Sequence, residues 1–167
     1  NWTEAANKST ETYIKYFFEN AGGRNTFAGE IYWEKPNTPE TGEPVSTGGS
    51  GGWSQGHALD IVTDAYVRHA DNSEYQTYLY ENIMKPFLPA FDEWNRTCGY
   101  GGNDFWNNFY DDMEWMALAC LRVYELTGDQ DYYSALMKMW DHIKGAKNDY
   151  KGVGGMAWKT DLPASRM

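Results

Sequence analysis

The stretch NNFYDDMEWMALACLRVYELTGD, Asn107–Asp129, decides how this chain is read. Met113, Trp115, Met116, Leu118, Leu121, Val123, Tyr124 and Leu126 surround almost the whole circumference of a helix, the pattern of an element buried on all sides. Gly128 supplies its C-terminal stop. At the other end stand two adjacent carboxylates, Asp111 and Asp112, which repel each other and need a reason to be there. One reading is capping, with Asn108 as N-cap and Asp111 in the first turn, where a carboxylate satisfies orphan N–H groups and complements the helix dipole. The other is chemistry, since glycoside cleavage uses two carboxyl groups flanking one scissile bond.

Outward from this helix the chain is mostly helical. Ala6, Tyr13, Tyr16 and Phe17 give one apolar face to a helix over Thr3–Glu19, ended by Ala21-Gly22-Gly23. Arg24–Gly52, rich in Gly, Pro, Thr and Ser, reads as a long loop with one short strand near Ile31, Tyr32 and Trp33. Ala58, Ile61, Val62 and Ala65 predict a helix from Trp53 to about Ala70. Asp71-Asn72-Ser73 caps another from Glu74 to about Trp94, interrupted by Pro86 and Pro89. Tyr132, Tyr133, Leu136, Met139, Trp140 and Ile143 mark an outer, half-exposed helix over Asp129–Lys147, and the tail from Tyr150 reads as a turn and a short extended stretch. Buried helices alternate with amphipathic ones. That predicts an all-α, double-layered ring of helical hairpins rather than a simple bundle, in which every helix would carry a stripe.

At 167 residues the chain suffices for one domain with a real core. A formal net charge of −10 and a pI of about 4.6 argue against a nucleic-acid backbone or an anionic membrane surface as partner. Aromatic residues make up 17% although the mean hydropathy is −0.73, a combination that suits sugars, whose C–H faces stack on rings while their hydroxyls need polar partners. No apolar run reaches membrane-spanning length, and a start at Asn1 without Met or an apolar leader fits a processed N-terminus. Cys98 and Cys120 have no metal-type spacing and leave a disulfide undecided. No cofactor or metal is expected. Asn1, Asn7 and Asn95 each open a glycosylation sequon.

Three segments in order carry a resemblance: WSQGHALDIVTDAYVRHADNSEY (Trp53–Tyr75), the Asn107–Asp129 stretch and GGMAWK (Gly154–Lys159). Together they resemble glycoside hydrolase family 76, endo-acting α-1,6-mannanases with an (α/α)6 barrel. The resemblance implies that Asp111 takes the nucleophile position and Asp112 the general acid/base position of a retaining double displacement. It also implies a six-hairpin barrel of which this chain, apparently the N-terminal half of the catalytic domain, covers about half of the ring. The remaining half of that domain then becomes an expected partner. Physical chemistry is compatible with the roles: helix N–H groups favour a charged Asp111, whose charge, with partial burial, keeps the proton on Asp112.

If the inner helices run parallel, Trp53, Gln55, His57 and Asp60 lie at the same end of the ring as Asp111 and become candidate substrate-binding residues, with Asp64 on the face of His57 and Asp60. Trp158, and Trp33 from the long loop, are stacking candidates; for each, core packing is the competing reading. The expected substrate is mannan polysaccharide or oligosaccharide, handled by a secreted, periplasmic or cell-surface protein. A cell-wall transglycosylase of the same fold and a non-catalytic carbohydrate-binding fragment are the alternatives.

Overall fold

Asn1 opens the first helix by accepting a hydrogen bond from the Thr3 N–H, the side-chain cap that Asn is suited to provide. The computed structural model describes residues 1–19, 24–28, 31–33, 44–46, 51–148 and 154–161. The chain divides into two compact units, Asn1–Phe91 and Asp92–Met167.

In the first unit, α1 (Trp2–Ile14) continues into a π-helical turn, Lys15–Glu19. Its buried line is Thr10, Ile14 and Phe18, displaced by one position from the expected face of Ala6, Tyr13 and Phe17. The displacement has a cause: Arg68 bonds Asn7 and Thr10, while Tyr13 stacks on both Phe17 and Phe27. Two short strands, β1 (Ile31–Trp33) and β2 (Pro44–Ser46), pair antiparallel where one was expected. Then α2 (Gly52–Arg68) buries Ala58, Leu59, Val62 and Ala65. These residues share the core of this unit with Phe27, Leu79, Ile83, Met84 and Phe87, each such burial contributing about 1.5–3 kcal/mol for the larger side chains.

Asn72 caps α3 (Ser73–Leu79) through the Tyr75 N–H. The helix does not break at its prolines. It widens into a π turn, Tyr80–Met84, and resumes as α4 (Lys85–Thr97), with Pro89 inside it. Pro86 has no N–H, and its ring would strike the carbonyl four residues back in a regular helix; the π turn just before it opens that space.

The second unit is built on α5 (Tyr110–Thr127) and α6 (Gln130–Ile143), joined by Gly128 in the left-handed conformation (φ 73°) and by Asp129, which caps α6. So short a link makes the two helices antiparallel neighbours. Met113, Met116, Ala119, Cys120 and Val123 are buried with Tyr132, Ala135, Met139 and Ile143. The expectation of burial on all sides of α5 is corrected: Trp115, Leu118 and Leu126 are 42–53% exposed along one face. A 3₁₀ turn, Lys144–Ala146, leads to β3 (Lys147–Asn148), paired antiparallel with β4 (Gly155–Met156). Both cysteines are free thiols. Among the described residues no helix is long and apolar enough to cross a membrane.

Candidate active site

The approach to α5 is organised by two buried amides, Asn95 and Asn107. Asn95 Nδ2 donates to the Trp106 carbonyl at 2.8 Å, and its Oδ1 accepts from Asn107 Nδ2 at 3.0 Å. Asn107 Oδ1 in turn accepts the Phe109 N–H at 2.9 Å. The chain folds so tightly here that a Cβ at Gly101 would lie 1.9 Å from the Asn95 carbonyl oxygen, so only glycine fits. Asn95 is 1% exposed and committed to this network, which removes it as a glycan acceptor.

The capping expectation is corrected at the same place. Phe109, not Asn108, is the N-cap of α5, and it offers no side-chain bond. Asn108 Oδ1 instead accepts from the Thr160 hydroxyl. The tail supplies what a cap would have supplied: the Trp158 carbonyl accepts the Tyr110 N–H at 3.0 Å, and Thr160 N–H donates to the Asn108 carbonyl at 3.0 Å. An orphan first-turn donor is thus satisfied by backbone from the far end of the unit.

Asp111 and Asp112 occupy the first turn, their side chains about 100° apart around the axis. Asp112 is buried at 8% exposure. Asp111 is half-buried; its Oδ2 accepts from Trp158 Nε1 at 3.2 Å, and its Oδ1 is buried without a hydrogen bond among the described residues. Nearby groups feel these charges. Burial, reinforced by Asp111, raises the Glu114 carboxyl above its ordinary range. Burial, with added repulsion from Cys98 and Asp112, pushes the Tyr100 phenol up to about 12.

An aromatic row runs beside the pair. Ring centroids are 6.4 Å apart for Trp94 and Tyr100, 5.9 Å for Tyr100 and Phe109, and 5.4 Å for Phe109 and Trp158. Lys159 Nζ sits 4.9 Å from the Phe109 ring centre. Trp158 is 57% exposed and offers ring surface to solvent. Of the residues singled out from sequence, the structure therefore brings Asp111, Asp112 and Trp158 together in the second unit. Tyr100, Phe109 and Asn107 join them unforeseen; Phe109 lies two positions before Asp111 in sequence, which was the available signal.

The other candidates lie in the first unit. Trp53 is 53% exposed, with its ring edge-on to His57 at 5.8 Å, and Asp60 follows one turn along α2. Gln55 is different. It is fully buried, its Oε1 accepting the Phe27 N–H at 3.0 Å and its Nε2 donating to the Phe27 carbonyl at 2.8 Å. Mimicking a strand partner for one residue, it is a structural group and not a sugar ligand. The Trp33 side chain lies outside the described residues. Among the described residues no three His, Cys, Asp or Glu side chains could jointly hold a metal ion.

No family model matches the chain, and neither does any curated protein. Solved structures do. The GH76A α-1,6-mannanase from Salegentibacter sp. HEL1_6 matches with 32% identity and a TM-score of 0.71, over 98% of this chain and 40% of that one. A variant of the same enzyme, described as inactive through replacement of two consecutive aspartates by asparagine and in complex with α-1,6-mannotriose, matches at 31% identity with the same coverage and TM-score. The Lin0763 protein from Listeria innocua matches at 27% identity and a TM-score of 0.63, over 95% of this chain and 40% of that one. These likenesses, with the helical architecture, define an all-α segment of the (α/α)6 barrel fold as glycoside hydrolases use it. Within that class the chain is similar to a segment of glycoside hydrolase family 76, to which the Salegentibacter enzyme belongs. It spans about 40% of the length of the solved structures it matches.

Proposed function

We propose that this chain carries the catalytic pair of a retaining glycoside hydrolase that cleaves α-1,6-mannosidic linkages in mannan. The observation that carries the reading is the placement of Asp111 and Asp112 in one helical turn beside an exposed, sugar-sized aromatic surface. It is supported by the solved relative in which replacing two consecutive aspartates yields a variant described as inactive and found with α-1,6-mannotriose. Asp111, half-buried and held at Oδ2 by the Trp158 indole, is the nucleophile. Asp112, buried one position further along the same turn, takes the general acid/base role towards the leaving oxygen. Two carboxyls on successive positions of one turn suit the close spacing of a retaining pair, about 5–5.5 Å. Trp158 gives the C–H face of a mannose unit a platform.

The chain spans 40% of its solved relatives, and we infer that turnover requires the remaining hairpins of the ring, in the same chain or supplied separately. A polymeric mannan substrate places the protein outside the cytoplasm, as a secreted, periplasmic or cell-surface protein. The test is hydrolysis of α-1,6-mannan by the full chain carrying this segment. Asp111→Asn or Asp112→Asn should each lower kcat roughly 10⁴-fold or more. Unchanged hydrolysis by either variant defeats the assignment. Product analysis with and without a mannoside acceptor separates hydrolysis from sugar transfer, and binding without any product would mark a carbohydrate-binding segment.

A further inference from the structure

We propose that Trp158 is a positioning residue for Asp111: its indole N–H fixes the carboxylate in one orientation, while its backbone fastens the turn that bears it. The proposal rests on the reading of Asp111 as nucleophile. A tryptophan that is 57% exposed ordinarily gives its N–H to water, but here Nε1 points inward to a single atom, Asp111 Oδ2, at 3.2 Å. The other oxygen, Oδ1, is buried and makes no hydrogen bond among the described residues. A carboxylate tied at both oxygens would be a strut. Tied at Oδ2 alone, with Oδ1 buried, it is aimed, and the remaining lone pair of Oδ2 is the one it offers an electrophilic carbon.

The same residue acts a second time through its carbonyl, which accepts the Tyr110 N–H, so one tryptophan holds both the backbone before Asp111 and the Asp111 side chain. Thr160 closes the clamp on the other flank through the Asn108 carbonyl and side chain. The Phe109 ring, 5.4 Å away, sets the tilt of the indole and leaves Trp158 a solvent-facing surface. Orientation of this kind acts on the chemical step more than on binding, because attack needs the reacting atoms held in line.

Trp158→Phe keeps an aromatic ring and deletes the donor. In the full chain it should lower kcat on α-1,6-mannooligosaccharides roughly tenfold or more, a larger change than any in KM. An unchanged kcat with a raised KM would overturn the proposal, leaving Trp158 a binding surface alone. A second measurement does not depend on turnover. The indole N–H resonance of Trp158 in a ¹⁵N spectrum should move on Asp111→Ala and stay in place on Asp64→Ala. An unmoved resonance overturns the proposal. Absence of hydrolysis in the unaltered chain would instead count against the proposed function, and the resonance would still decide the role of Trp158.

Discussion

Two side chains show how burial converts sequence into commitment. Gln55 holds both backbone groups of Phe27 in a site closed to water. Gln55→Leu leaves a buried N–H and C=O unpaired, so chemical denaturation should show a loss of about 2–5 kcal/mol. Tyr100 tells the same story through protons. Its phenol ionises in the unfolded chain at the ordinary 10.0 but is held up to about 12 in the folded one. The folded state therefore binds the proton more tightly, and the stability this contributes is complete below pH 10 and lost as pH rises toward 12. Tyr100→Phe should flatten that part of the alkaline denaturation curve; an unaltered curve would show the phenol to be uncoupled from folding. Sequence pattern located the aspartate pair because two adjacent charges on an apolar helix are locally anomalous. It could not locate Gln55's partner, since a glutamine beside a helix start looks the same whether it faces a ligand or a backbone 28 residues away.

At the scale of elements, helices with punctuation at both ends were legible. The αL glycine at 128, the Asn72 cap and the apolar runs of α2 and α6 all act within a few residues. The π turn at Tyr80–Met84 was not, because a widened turn has no composition of its own and arises from the need to pass Pro86 without a clash. Nor was the missing side-chain cap on α5, whose donor is satisfied from Trp158. Pro89 offers a direct test of helix continuity. It is exposed within α4 and deprives the Lys85 carbonyl of its regular partner. Pro89→Ala should raise stability by about 1 kcal/mol or more, read from the thermal midpoint. A fall would mean that the ring of Pro89 contributes packing that outweighs the lost bond.

At the scale of the molecule, each unit leaves apolar side chains in water. Trp53, Ile61 and Val67 do so on α2, Trp115, Leu118 and Leu126 on α5, and Tyr133, Met137 and Trp140 on α6. The apolar circumference of α5 predicted burial on all sides, but burial needs a neighbour, and among the described residues no element covers the face of Trp115, Leu118 and Leu126. The 167-residue chain by itself should therefore bind a hydrophobic dye and self-associate as its concentration rises. Leu118→Glu with Trp140→Glu should reduce both; dye binding that stays at the level of a sealed domain would contradict the exposure.

The bond between Asp111 and Trp158 joins positions 47 residues apart, and the chain is made from its N-terminus. At about 5–20 residues per second, Trp158 leaves the ribosome's active centre on the order of seconds after Asp111. Helix α5 thus has time to form while its carboxylate is still unheld. The aspartate pair is written early, but the contact that holds Asp111 is finished late, once the tail has docked.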